Sequence, residues 1–214
     1  MRRQAMPSKK TTKRQNATKP ALSVDLPTPG ATDERVRRSK ELVLKTTWAL
    51  LVENGLSGVS VDEVARRSGV AKTTIYRHWR TRSDLVFDAC SLINPTQEAR
   101  DSGSVETDVT ALLLNLAHML QTAGWPNVMP SIVDAGERDP ELAAVFSQQQ
   151  LMRSAPLLQV IERAKKKGQV SVKADASAMV AQLVGPLFYR RWFSREPIDE
   201  KFIKSVVKAV VSKA

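Results

Sequence analysis

The twenty residues from Ser60 to Trp79, SVDEVARRSGVAKTTIYRHW, restrict what this 214-residue chain can fold into more than any other stretch. Ser60 followed three positions later by Glu63 has the spacing of a capping box, so a helix starts there. Gly69 closes it, because glycine enters the left-handed conformation at little steric cost. A second helix begins near Ala71 and carries Lys72, Thr73, Thr74, Ile75, Tyr76, Arg77, His78 and Trp79. Two short helices joined by a Gly-containing turn of about three or four residues form the helix-turn-helix pattern, whose second helix enters the DNA major groove. Val61, Val64, Ala65, Val70, Ile75 and Trp79 are spaced to meet in a small core. Lys72, Thr73, Tyr76 and Arg77 then point outward, and they are donor-rich types suited to phosphates and base edges.

The charge is distributed to match. Residues 1–90 hold 18 of the 33 Lys/Arg and 9 of the 22 Asp/Glu, so +9 of the net +11 lies there. A charge run is usually a solvated face, but asymmetry beside such a motif points to nucleic acid. Within it, residues 1 to about 32 hold seven Lys/Arg in the first twenty positions and no acid there. Pro7, Pro20, Pro27 and Pro29 interrupt any apolar period, so this stretch reads as a disordered basic arm. Such an arm either lies along phosphates, adding sequence-independent affinity, or is a plain flexible tail.

The rest of the chain has the helical period. Thr32 or Asp33 is placed to cap a helix to about Asn54, with Val43, Leu44, Thr47, Trp48 and Leu51 as its apolar stripe and Gly55 as its stop. Thr81 to Asp84 opens a helix carrying Leu85, Val86, Ala89, Cys90 and Ile93, closed near Asn94-Pro95. A polar stretch, Thr96 to Ser104, marks a boundary. Beyond it the spacing predicts a helix over 105–123, a short one from 126 to about 135, and one from Asp139 to Lys167 that should kink or break at Pro156. Asp175 caps the next helix, bent at Gly185-Pro186, and Asp199 caps the last. No segment reads as a strand. The expected fold is therefore all-α, with about nine helices.

Several function classes are disfavoured. The chain has two histidines, His78 and His118, and lacks a GxSxG elbow, a phosphate-cradling glycine loop and any His/Cys/Asp cluster at metal spacing. We therefore expect no catalytic residues, no metal and no cofactor. A single cysteine, Cys90, excludes an intramolecular disulfide and reads as a small buried hydrophobe. No apolar run nears the roughly 18 residues that span a membrane, and no apolar stretch follows the basic N-terminus as in a secretory signal. A cytoplasmic location is expected.

From Val43 to Val86 the sequence VLKTTWALLVENGLSGVSVDEVARRSGVAKTTIYRHWRTRSDLV closely resembles the DNA-binding domain of the tetracycline-repressor (TetR) family. The C-terminal run LVGPLFYRRWFSREPIDEKFIKSVVKAV is similar to the end of one large group of that family. Ala71 departs from the serine common at that position, which removes a helix cap, and Trp79 departs from the common phenylalanine. The resemblance implies three units: the arm at 1–32, a three-helix DNA-binding domain at 33–95 around the motif 60–79, and a helical ligand-binding and dimerisation domain at 104–214. It further implies a homodimer on a palindromic double-stranded operator, released by a small molecule. The alternative is a sequence-tolerant basic DNA-coating protein without an effector.

Residues follow from these readings. Tyr76 and His78 are assigned mainly to phosphates, Lys72, Thr73, Thr74 and Arg77 to phosphates or base edges, and Ser60 to the same DNA-binding surface. Phe188, Trp192, Phe202, Val206 and Val210 offer more apolar area than one short core absorbs, where the family places a dimer interface. A pocket for a small apolar effector is expected among the helix 105–123, the short helix from 126 and the helices interrupted by Pro156 and Gly185-Pro186, since kinks separate helices and leave room. Leu113, Leu116, Trp125, Met129, Phe146 and Met152 would line it, with His118 or Tyr189 as polar anchors.

Overall fold

In a computed structural model of the protein, residues 29–93, 97–122 and 124–212 are described. Among them are nine α-helices and no strand: α1 (Pro29–Asn54), α2 (Val61–Ser68), α3 (Lys72–His78), α4 (Arg82–Ile93), α5 (Val105–Gln121), α6 (Trp125–Arg138), α7 (Pro140–Lys166), α8 (Ala176–Tyr189) and α9 (Glu200–Val211). The fold is all-α, as the periodicity implies. α1 already includes Thr32 and Asp33 within its described span, so neither residue starts it. The basic arm before residue 29 and the Asn94-Pro95 stop lie outside the described residues.

The first core is built from local signals. α1 buries Val43, Leu50 and Leu51, and Thr47 joins them by donating its hydroxyl to the Val43 carbonyl at 2.9 Å. Ser60 caps α2 by accepting from the Glu63 N–H at 3.1 Å. Glu63 does not complete the reciprocal box. Its carboxylate instead takes Arg66 and Arg67 of its own helix. The box that does close opens α4, where Thr81 N–H donates to Asp84 and Asp84 N–H donates to the Thr81 hydroxyl, at 3.0 and 3.1 Å.

One helix beyond the polar stretch joins this core. Trp125, Val128 and Ile132 of α6 are buried among Val43, Leu50, Leu51, Val59 and Ile75. The approach is close: at Gly124 (φ 83°) an added Cβ would lie 2.4 Å from Val52 Cγ2, so glycine is required on two counts. Ser131 on α6 accepts from the Leu56 N–H at 3.0 Å, bolting the helix to the turn that precedes α2.

α5, α7, α8 and α9 enclose a second core around Leu113, Leu120, Ile161, Leu183, Leu187 and Ile203. Val206 and Val210 belong to it and are 8 % exposed in the single chain. Arg163 on α7 pairs with the buried Asp108 of α5 at 3.0 Å, and Asp108 also accepts from the Ser102 N–H, so the segment before α5 is tied to α7. Neither internal proline ends its helix: α7 runs unbroken past Pro156, and α8 runs past Pro186 into a five-residue π-turn at Arg190–Ser194. α6 also extends to Arg138 rather than ending near Ala135. No helix of the described residues is long and apolar enough to cross a membrane.

Candidate nucleic-acid interface and an apolar cavity

α3 stands on two anchors. Ile75 is fully buried and Trp79, at its C-terminal end, is 5 % exposed. The Trp79 indole N–H donates to Asp88 of α4 at 2.7 Å, which fixes how α3 leans on the following helix. Ala71 provides no side-chain cap, as its methyl dictates. With the anchors buried, Lys72, Thr73, Tyr76 and Arg77 are exposed, and Thr74 and His78 are half-buried beside them. The six polar side chains assigned to DNA from the sequence therefore share one short helix. Ser60 is exposed too, but its hydroxyl is occupied in capping α2.

The surface around α3 is cross-linked by charge. Lys72 Nζ lies 2.6 Å from Asp62 of α2. Arg67 bridges Glu63 and Glu53, and the two guanidinium groups on Glu63 lower its pKa to about 2. Partial burial and the charges of Lys40 and Arg77 hold the His78 imidazole below its ordinary pKa, so it is neutral at physiological pH. It packs edge-on to the Trp79 ring.

The second feature is a cavity of about 490 Å³ between the two cores. Leu116 of α5, Trp125 and Met129 of α6 and Phe146 of α7 line it, as expected from the sequence. The other four candidates do not line it. Leu113 faces the second core instead, and His118, Met152 and Tyr189 are exposed. Helical geometry accounts for this, since each residue turns about 100° from the last and His118 is two positions from Leu116.

The parts of the wall not read from the sequence include α4 and Arg153. α4 contributes Val86, Phe87 and Cys90, and Phe87 meets Phe146 of α7 edge-to-face at 5.4 Å. The only available signal was an apolar band on α4 wider than one core needs: Leu85, Val86, Phe87, Ala89 and Cys90 are all buried. Burial pushes the Cys90 thiol up to about 11, so it behaves as a hydrophobe. The second omission is Arg153 of α7, considered below.

The dimer candidates separate by burial. Phe188 and Trp192, edge-to-face at 5.5 Å, and Phe202 are half-buried, while Val206 and Val210 face inward. The outward stripe of α8 is small: Ala178, Ala181 and Gly185 are exposed, as are Ser205 and Ala209 on α9. Among the described residues, no group of three His, Cys, Asp or Glu side chains is placed to hold a metal ion.

Comparison with known proteins agrees with this arrangement. Residues 43–89 match the family of bacterial regulatory proteins termed tetR, and residues 99–210 match the tetracyclin repressor-like C-terminal domain. The HTH-type transcriptional regulator AqdR of Rhodococcus erythropolis is 32% identical over 155 residues, covering 71% of this chain and 73% of AqdR. YdeS of Bacillus subtilis, also an HTH-type transcriptional regulator, is 28% identical over 170 residues, 77% of this chain and 84% of YdeS. The crystal structure of the transcription regulator SCO0332 superposes with a TM-score of 0.68 at 27% identity, covering 84% of this chain and 98% of that one.

Proposed function

The chain belongs to the TetR family of DNA-binding transcriptional regulators, which are not enzymes, and from that premise we propose that it is a repressor released by a small ligand. It acts in the cytoplasm as a homodimer that sets two copies of α3 in successive major grooves of a palindromic operator. Half-sites would then lie about 34–36 Å apart, or a multiple of that. Lys72, Thr73, Thr74 and Arg77 contact phosphates or base edges, and Tyr76 and His78 contact phosphates.

The observation that carries the switch is the sharing of α4. Asp88 of α4 holds Trp79 at the end of the recognition helix, and Val86, Phe87 and Cys90 of the same helix line the cavity. A ligand filling the cavity binds one setting of α4 better than another. The setting it favours need not be the one whose recognition helices match the operator spacing. Ligand and operator then weaken each other by equal factors, as linkage requires.

Dimerisation is assigned to the outward stripes of α8 and α9, where small side chains permit close helix approach, flanked by Phe188, Trp192 and Phe202. Val206 and Val210 support those helices from within. Ala181→Asp or Ala209→Asp should give monomers in sedimentation and abolish operator binding, while a charged variant that stays dimeric would move the interface elsewhere.

The test of function starts by selecting DNA from a random pool and measuring binding against unrelated competitor DNA. A repressor should show a specificity ratio of roughly 10³ or more. Equal competition by any sequence would favour the DNA-coating reading. Thermal-shift screening with small compounds, followed by operator release, then tests the switch. A compound that stabilises the protein through the cavity yet leaves operator affinity unchanged sinks it.

A further inference from the structure

The cavity wall is chemically one-sided. α4, α5 and α6 present mainly hydrocarbon and aromatic surface, including Phe87, Leu116, Trp125 and Met129. α7 adds polar side chains, Gln149, Gln150, Arg153 and Ser154, beside its own Phe146 and Leu157. The Arg153 guanidinium carbon lies 5.2 Å from the centroid of the Trp125 ring, a cation held against an aromatic face in the middle of that wall. Among the described lining residues the one other charged group is Glu137, on the exposed side of α6.

Resting on the reading of a ligand-released regulator, we propose that this cavity selects an amphipathic monocarboxylate. The carboxylate sits on Arg153, and the apolar body lies against Leu116, Met129 and Phe146. The guanidinium is planar and offers paired N–H donors that match two carboxylate oxygens, which no neutral oxygen group does as well. Surroundings of low polarity strengthen that pair. They already hold the Arg153 pKa below its ordinary value through desolvation, a penalty that an incoming anion reduces. At about 30 Å³ per non-hydrogen atom, a volume of about 490 Å³ takes roughly 15 such atoms. Medium-chain alkyl or arylalkyl carboxylates are of this size.

The test uses the purified full-length protein and matched probes: decanoate and 4-butylbenzoate against methyl decanoate, decanol and decylamine. Binding is followed by calorimetry and tryptophan fluorescence. At least one carboxylate should bind roughly tenfold tighter or better than the neutral and cationic compounds. Arg153→Gln should erase that preference, and Arg153→Lys should keep part of it, because the charge remains and the fork is lost. Should neither variant fold, the ranking of carboxylate, ester, alcohol and amine on the unaltered protein decides alone.

Decanol or decylamine binding as tightly as the carboxylates would overturn the proposal. So would two carboxylates that fail to bind, or an Arg153→Gln protein that keeps the preference. The gating reading fails separately. Carboxylates that bind through Arg153 without changing affinity for the selected operator would support the ligand class and sink the switch. Decanol releasing operator while carboxylates do not bind would do the reverse.

Discussion

The recognition helix and the cavity both rest on α4, yet they are built by opposite means. α3 is placed by neighbours close in sequence: Gly69 before it, Trp79 at its end, and Asp88 nine residues further on. The cavity draws its walls from α4, α5, α6, α7 and α8, over residues from Val86 to Phe188. Local construction fixes a DNA-reading surface firmly with few residues. Distributed construction leaves a volume whose shape depends on how five helices are held, which suits the ligand response proposed for it.

Trp125 touches both constructions, so its truncation is the strongest way to break the contrast. Trp125→Ala removes a buried ring packed 5.5 Å from Trp48 and is expected to cost about 3–5 kcal/mol, read by urea denaturation. A loss below about 1 kcal/mol would mean that α6 merely covers the first core rather than belonging to it. Arg77→Ala comes next and should sharpen the contrast. It leaves stability unchanged and costs about 1–3 kcal/mol of operator binding if it reads a base. A mutant that selects the same preferred sequence assigns Arg77 to phosphate instead.

Ser60→Ala should cost about 1 kcal/mol of stability through loss of the α2 cap. Loss of operator affinity with no loss of stability would show that Ser60 meets DNA directly. The smallest effect belongs to Asp62→Asn, which frees Lys72 from an exposed pair worth at most about 1 kcal/mol. Anisotropy titrations over a range of salt should show slightly tighter binding and a steeper slope, by about 0.9 for one added phosphate contact. An identical slope would mean that Lys72 leaves Asp62 for solvent, not for DNA.

The same contrast governs what could be read in advance. Capping pairs, Gly69 and the spacing of Val64, Ile75 and Trp79 are short-range signals, so the DNA-binding helices were legible from the chain alone. Apolar helical spacing marked Leu116, and aromatic and methionine side chains marked Trp125, Met129 and Phe146, as candidates for the cavity. Periodicity could not say which way Leu113, His118, Met152 and Tyr189 turn, because that depends on how each helix is rotated against its neighbours. Arg153 stayed hidden for a different reason. Between Gln149, Gln150 and Ser154 it reads as part of a solvated face, and its place against Trp125 depends on the approach of another helix. Val206 and Val210 look like an interface in sequence because nothing there reveals that α5 already covers α9.

The attachment of α6 also bears on how regulators of this kind can be recombined. A crossover in the polar segment before α5 would seem to exchange a DNA-reading half for another and keep the sensing half intact. In this chain it would strip Trp125, Val128 and Ile132 from their partners and leave the Leu56 N–H without Ser131. The structural unit around the first core is discontinuous, with α5 inserted between its two parts. Neither half is a separable cassette. Exchanging halves at that segment should therefore cost stability, whereas point substitutions leave the α6 attachment in place.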